Sequence, residues 1–374
     1  MTYDRERDAR LRASMADAGL DAVLAYRVEE VLLTTGECPY LGVTLCLYPR
    51  VGTPIVYTMP TEPPDLMPPH VEKRLYPNRD ELRELIAADV RALGLEKVGY
   101  SQEMGLHALG GWIPEGGPFA TPHIAALLGA VGTPTDFFVA QFMHKTEYDI
   151  QKLLLTNQIA AIGIRRFFEL LEPGRTEADI ASRVEASIHR MTGKLGCKVA
   201  RGWAAVQAAH NTFNAGGASR SSGYTLKYGD IVLLELGTMV DGYYSDLTRT
   251  RVIGTPTPEQ TALITAARTA QRAALDSIRA GVAYATVDAA AHASMDVSGF
   301  GAGFTHVTGH HVGFRYHDYG PTLNSATSAI LEAGNCLTIE PGAYGEQFNG
   351  GCRFEDNVAV TVDGFRFLSP YELI

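Results

Sequence analysis

A chain of 374 residues is long enough for two domains of ordinary size. With 46% hydrophobic and 20% charged residues it has the balance of a folded protein, which excludes a largely disordered one. A formal net charge of -10, with no block of Lys or Arg along the chain, excludes the electrostatic footprint of a nucleic-acid binder.

The opening Met1-Thr-Tyr-Asp-Arg-Glu-Arg-Asp-Ala-Arg10 alternates acids and bases and lacks the apolar centre of a signal peptide. No run approaches the length needed to cross a bilayer, so no membrane partner is expected. Cys38, Cys46, Cys197, Cys336 and Cys352 are scattered, odd in number and contain no CxxC, which fits a reducing, cytoplasmic setting and argues against a cysteine metal site. Arg5 to Ala18 reads as an amphipathic helix ending at Gly19, followed by a strand over Asp21 to Tyr26. Short apolar runs at Val43 to Leu47 and Pro54 to Tyr57 precede a helix over Asp80 to Leu93 and a strand at Lys97 to Tyr100. A mixed α/β domain over residues 1–135 accounts for this pattern, with the boundary in the Gly- and Pro-rich text between Pro114 and Pro134, which includes Pro114-Glu-Gly-Gly-Pro118.

Residues 136–374 form the second expected domain. Thr146 caps a helix over Glu147 to Leu171, and Thr176-Glu-Ala-Asp179 opens another that runs to Met191. Two further helical runs cover Pro258 to Ala280 and Thr286 to Val297. Between these helices lie the strands that carry the chemistry.

Ile231-Val-Leu-Leu234 looks like a buried strand, yet Glu235 interrupts it. Asp241-Gly242 is the signature of a two-residue hairpin loop. Pairing Val240 with Tyr243 sets Gly237 opposite Asp246 and Glu235 opposite Thr248, so Glu235 and Asp246 become diagonal neighbours on one face, roughly 7–8 Å apart at the backbone. Two buried carboxylates side by side either share a proton or hold a cation. An ion pair of Glu235 with Arg249 or Arg353 is the alternative.

Thr305-His-Val-Thr-Gly-His-His-Val-Gly-Phe-Arg-Tyr-His-Asp318 then concentrates imidazoles in a segment that is not a helical HExxH. Alternation turns His311 away from His310. Cys336-Leu-Thr-Ile-Glu340 ends an apolar strand on an acid, and Arg353 and Glu355 share a strand face by period-two spacing. The carboxylates with one or more histidines form an oxygen-rich, nitrogen-poor donor set suited to a pair of Mn, Fe, Co or Zn ions about 3.5–4 Å apart.

The runs Gly242-Tyr-Tyr-Ser-Asp-Leu-Thr-Arg-Thr250, Gly309-His-His-Val-Gly-Phe-Arg-Tyr-His-Asp318, Thr338-Ile-Glu-Pro-Gly342 and Arg353-Phe-Glu-Asp356 closely resemble the creatinase/prolidase/aminopeptidase P superfamily in order and spacing. The resemblance covers essentially the whole second domain. It implies an α+β chain with a pita-bread catalytic domain behind a smaller, creatinase-type α/β N-terminal domain, to which the opening helix and the Val31-Leu-Leu-Thr-Thr-Gly36 turn correspond more loosely. By position it implies Glu235, Asp246, His310, Glu340 and Glu355 as ligands to divalent metal ions, His317 as a substrate- or intermediate-binding histidine, and Arg353 as the residue that steadies the site. The family usually has Asp where this chain has Glu235, and a Pro-His element before the first ligand strand is missing, with Ala218 near its place and His210 several residues out of register.

The resemblance further implies a water activated by metal, Glu340 as general base and acid, and His317 with His306 stabilising the oxyanion. The first functional expectation is an Xaa-Pro dipeptidase or aminopeptidase acting on small peptides, assembled as a homodimer. A creatinase-like hydrolase of another small C–N substrate is the alternative, favoured by the two departures. A non-catalytic binding module, as in histone-chaperone and growth-regulating relatives, has no need of this constellation.

Overall fold

The computed structural model describes residues 4–40, 43–63, 68–102, 121–217 and 220–369. The chain divides into two compact units, Met1–Phe142 and Met143–Ile374.

In the first unit α1 (Arg5–Asp17) starts on Asp4, whose carboxylate accepts from the N–H groups of Glu6 and Arg7, and buries Leu11 and Met15. Described strands β1 (Ala22–Ala25), β2 (Leu45–Pro49), β3 (Ile55–Thr58), β4 (Glu72–Leu75), β5 (Val98–Ser101) and β6 (Gly132–Thr135) form one sheet in the order β4-β3-β2-β1-β5-β6. β1 pairs antiparallel with β2 and parallel with β5, and its fully buried Ala-Val-Leu-Ala reflects cover on both faces. The helices α2 (Val28–Thr35), α3 (Arg79–Ala92), α4 (Thr121–Leu128) and α5 (Phe137–Met143), with a 3-10 turn over Gly129–Val131 after α4, complete the described elements.

Two expectations need correction here. Val31 to Thr35 lies in α2, and only Gly36, at φ 80°, makes the turn. The stretch read as boundary text instead contains α4 and β6, the latter paired with β5 in the first unit's sheet; Pro114 to Pro118 lies outside the described residues. The division falls after Phe142, beyond the expected 135, because α5 belongs with the first unit, where Gln141 accepts from Arg10 Nε at 3.3 Å.

The second unit begins with α6 (Glu147–Leu170), entered through a reciprocal capping box between Thr146 and Asp149, and α7 (Glu177–His189), capped by Thr176. They pack on the sheet β7 (Ala200–Ala208), β8 (Ile231–Val240) and β9 (Tyr243–Val252), burying Ile164, Phe167, Val184, Val206, Leu234 and Leu247 between them. A second layer sets α8 (Pro258–Asp276) and α9 (Tyr284–Val297) against β10 (Cys336–Ile339), β11 (Gly342–Gly345), β12 (Gly350–Arg353), β13 (Asp356–Val360) and β14 (Phe365–Phe367).

The two layers are joined where β9 meets the β12–β13 corner. A bridge pairs Thr248 with Glu355, and the fully buried Arg249 donates to the Thr248 and Glu355 carbonyls and to Asp356 Oδ1 at 2.7 Å. The histidine-bearing segment runs beside β10: Thr338 N–H donates to His310 O at 2.8 Å, and Glu340 N–H to Thr308 O at 2.9 Å. Acids on the hairpin, just past the end of β10 and at the β12–β13 corner therefore face one point.

Candidate metal centre

The hairpin has the register its sequence predicts: Val240 pairs with Tyr243, Gly237 with Asp246 and Glu235 with Thr248. Asp241 and Gly242, at φ 51° and 88°, supply the two left-handed positions of the loop. Asp246 is 2% exposed, and Asn357 holds its backbone from both sides, donating to its carbonyl at 2.7 Å and accepting from its N–H at 3.2 Å. Burial, followed by the charges of Glu235 and Glu340, holds the Asp246 carboxyl well above its ordinary range.

His310 faces this acid across the seam. Its Nδ1 donates to the His311 carbonyl at 2.8 Å, which turns Nε2 toward Asp246 Oδ2 and Glu340 Oε1, each 3.5 Å away. Thr338 fixes both neighbours at once: its hydroxyl accepts from His310 N–H at 3.0 Å and donates to Glu340 Oε1 at 3.1 Å. Glu355 accepts from the Thr248 hydroxyl through Oε2 at 2.6 Å. Its carboxyl is also pushed well up, by burial and then by Asp246 and Glu340.

These residues suit a cation. Asp246 Oδ1 and Glu355 Oε1 are buried without a hydrogen-bond donor among the described residues, and the His310 nitrogen not used on the His311 carbonyl faces two carboxylates. Asp246, His310 and His317 can each offer a ligand atom within 4.8 Å of the others, as can His310, Glu340 and Glu355. Oxygen donors with one or two imidazoles match Mn, Fe, Co or Zn chemistry. Asp246, His310, Glu340 and Glu355 are the residues that would hold such an ion, with His317 beside them, its ring 4.1 Å from that of His310.

Glu235 stands apart from both groups. Its Oε2 accepts from Arg353 Nη2 at 2.5 Å and its Oε1 from the Tyr316 hydroxyl at 2.6 Å. The ion pair weighed for Glu235 therefore forms with Arg353, while Arg249 is committed to Asp356. Arg353 also donates to Thr248 Oγ1 at 2.9 Å, to the Ala215 carbonyl at 3.2 Å and to the Tyr344 hydroxyl at 2.8 Å. Tyr344 in turn meets His306 Nε2 at 2.9 Å, while His306 Nδ1 donates to Val307 O, and burial keeps this imidazole on the neutral side. His311 faces the opposite side, fully buried against Tyr284. His210 is exposed, set edge-on to Tyr224, and Ala218 lies outside the described residues.

Sequence reasoning missed Thr248, Thr338, Tyr316, Tyr344 and Asn357. For Thr248 and Thr338 a signal exists, since each lies two positions along a strand from a carboxylate and so shares its face. Tyr344 and Asn357 reach the site through partners distant in sequence, which spacing cannot reveal.

The model of metallopeptidase family M24 matches residues 151–362. A probable dipeptidase, PepE, of Mycobacterium bovis is 32% identical over 394 aligned positions, covering 100% of this chain and 97% of the relative. An Xaa-Pro dipeptidase of Lactobacillus delbrueckii subsp. lactis is 33% identical over 232 residues, a match that spans 62% of this chain and 61% of that protein. The solved Xaa-Pro dipeptidase from Bacillus anthracis superposes with a TM-score of 0.80 over 98% of this chain and 97% of its own, at 23% identity, and so shares the fold. A family match over most of the second unit and a relative aligned along the full length lead to one conclusion: the chain belongs to metallopeptidase family M24, with a pita-bread catalytic domain behind its N-terminal domain.

Proposed function

We propose that this chain is a metal-dependent dipeptidase that cleaves short peptides, with Xaa-Pro dipeptides as its substrates. The observation that carries the reading is the convergence of Asp246, His310, Glu340 and Glu355, two of whose buried oxygens have no donor among the described residues. The dipeptidase names of the Mycobacterium and Lactobacillus relatives support the substrate class. A divalent ion in such a site lowers the pKa of bound water and polarises a carbonyl. Glu340, held by Thr338 through Oε1, keeps Oε2 on the His306 side and takes the proton of the attacking water there, later passing it to the leaving nitrogen. His317 donates to the oxygen that becomes negative as the carbonyl is attacked, while His306, with Nδ1 on the Val307 carbonyl and Nε2 on the Tyr344 hydroxyl, lines the same side of the site next to Glu340. Arg353, tied to Glu235, Thr248 and Tyr344, keeps the β12–β13 corner and Glu355 in register with the hairpin. A homodimer in a reducing, cytoplasmic setting completes the reading, and the buried thiols of Cys46, Cys197, Cys336 and Cys352 support that setting.

The test is turnover of Ala-Pro, Gly-Pro and non-proline dipeptides by protein reloaded with Mn or Co. Cleavage of Xaa-Pro dipeptides that EDTA abolishes and metal restores is the expected result. Fully loaded protein that cleaves no peptide would refute it and point to a hydrolase of another small C–N substrate, the reading that the departure at Glu235 favours.

A further inference from the structure

The family's usual Asp and this chain's Glu235 differ by one methylene, and the structure shows where that length goes. Both carboxylate oxygens are already engaged, Oε2 by Arg353 Nη2 and Oε1 by the Tyr316 hydroxyl. Neither donor has slack. The guanidinium of Arg353 is buried and also held by Thr248, Ala215 and Tyr344, so it cannot withdraw without leaving those contacts. Tyr316 is 2% exposed, its ring lying edge-on to Trp203 at 4.9 Å and beside His317 at 4.8 Å. Glu235 has no oxygen left uncommitted, and swinging either one onto a metal would pull it from a buried donor, a loss that is penalised most for the charged guanidinium. Asp246 and Glu355 present the opposite case, each with one buried oxygen that no donor among the described residues claims.

We propose that Glu235 is the counter-carboxylate of Arg353 and Tyr316 and not a metal ligand, so that the centre holds one divalent cation on Asp246, His310, Glu340 and Glu355 in place of a pair. The inference rests on the metallopeptidase reading. Glu235 is then a positioning residue: it fixes Arg353, whose Nε lies 4.0 Å from Glu355 Oε2 and bonds the same Thr248 hydroxyl that donates to Glu355. It also orients Tyr316 next to the two histidines.

Calorimetric titration of the EDTA-stripped protein with MnCl2, read together with elemental analysis, tests this directly. The wild type is expected to bind one Mn per chain and to give the electron paramagnetic hyperfine pattern of an isolated ion. Glu235→Gln is expected to keep the stoichiometry of one while affinity falls by roughly 10–100-fold, as the loss of an outer partner does. Asp246→Asn is expected to abolish binding. Two Mn per chain in the wild type, with an exchange-coupled spectrum that Glu235→Gln converts to an isolated ion, would overturn the proposal while leaving the metallopeptidase reading intact. No Mn bound by the wild type would overturn both, which separates the two failures.

Discussion

Thr338 touches more of the centre than its size suggests, because one hydroxyl orients both His310 and Glu340. Thr338→Val removes that hydroxyl at nearly constant volume. Metal affinity measured by titration is expected to fall by roughly 10–100-fold and unfolding stability by about 1–3 kcal/mol, while Thr338→Ser retains most of both. Unchanged affinity in the valine variant would show that the two ligands need no outer support. At this scale the donors were legible in the sequence, since carboxylates interrupting apolar strands and a cluster of histidines announce themselves by being costly to bury. What holds those donors was not. Tyr316 sits beside His317 in sequence but bonds Glu235, 81 positions away, and Asn357 grips the backbone of Asp246 across 111.

The hairpin of β8 and β9 was legible in full because its register is set by adjacent residues: the Asp241-Gly242 loop fixes each pair that follows. β6 was hidden because Gly132 and Pro134 read as punctuation, although it is the edge strand of its sheet, a place where proline is tolerated. The helix α2 was read as a turn for a related reason, the terminal Gly36 outweighing a short helical run. A pairing of elements that no local pattern could show is the ion pair of Lys145 and Asp318, 2.9 Å apart with both side chains fully buried and 173 positions between them. Asp318 also accepts from Phe314 N–H, closing the loop that presents His317. Lys145→Met is expected to destabilise the second unit by about 3–5 kcal/mol in urea unfolding, because it strands the Asp318 charge. A loss under about 1 kcal/mol would mean that the loop's backbone donors alone suffice for Asp318.

Across the whole molecule the two units respond to different variables. In the first, Glu30 is fully buried between the N–H groups of Tyr26 and Arg27 and the Ser101 hydroxyl. Burial, then the charge of Glu29, pushes its carboxyl from 4.5 up to about 7. A carboxyl raised on folding binds its proton more tightly in the native state. Its contribution is full below the unfolded value of 4.5 and is lost as pH rises through about 7, a change on the order of 3 kcal/mol. Thermal unfolding of the wild type is expected to show this decline between those limits, and Glu30→Gln to flatten it; a variant with the wild-type slope would assign the pH dependence elsewhere. The second unit is expected to respond to metal: ion at about 100 times its dissociation constant would add about 2.7 kcal/mol to stability by mass action. Neither response follows from the net charge of -10 or from composition. The proposed homodimer is checked by light scattering, where twice the chain mass is expected and a monomer would remove it from the account.

Asp246, His310, Glu340 and Glu355 are proposed to hold a divalent cation that serves peptide hydrolysis. Anomalous diffraction from crystals grown with Co, recorded on both sides of its absorption edge, tests it most directly. A peak is expected within coordination distance of those four side chains, about 2.0–2.2 Å from nitrogen and oxygen, with Glu235 still bonded to Arg353. Cobalt bound elsewhere, with these four residues closed on one another by hydrogen bonds, would contradict it.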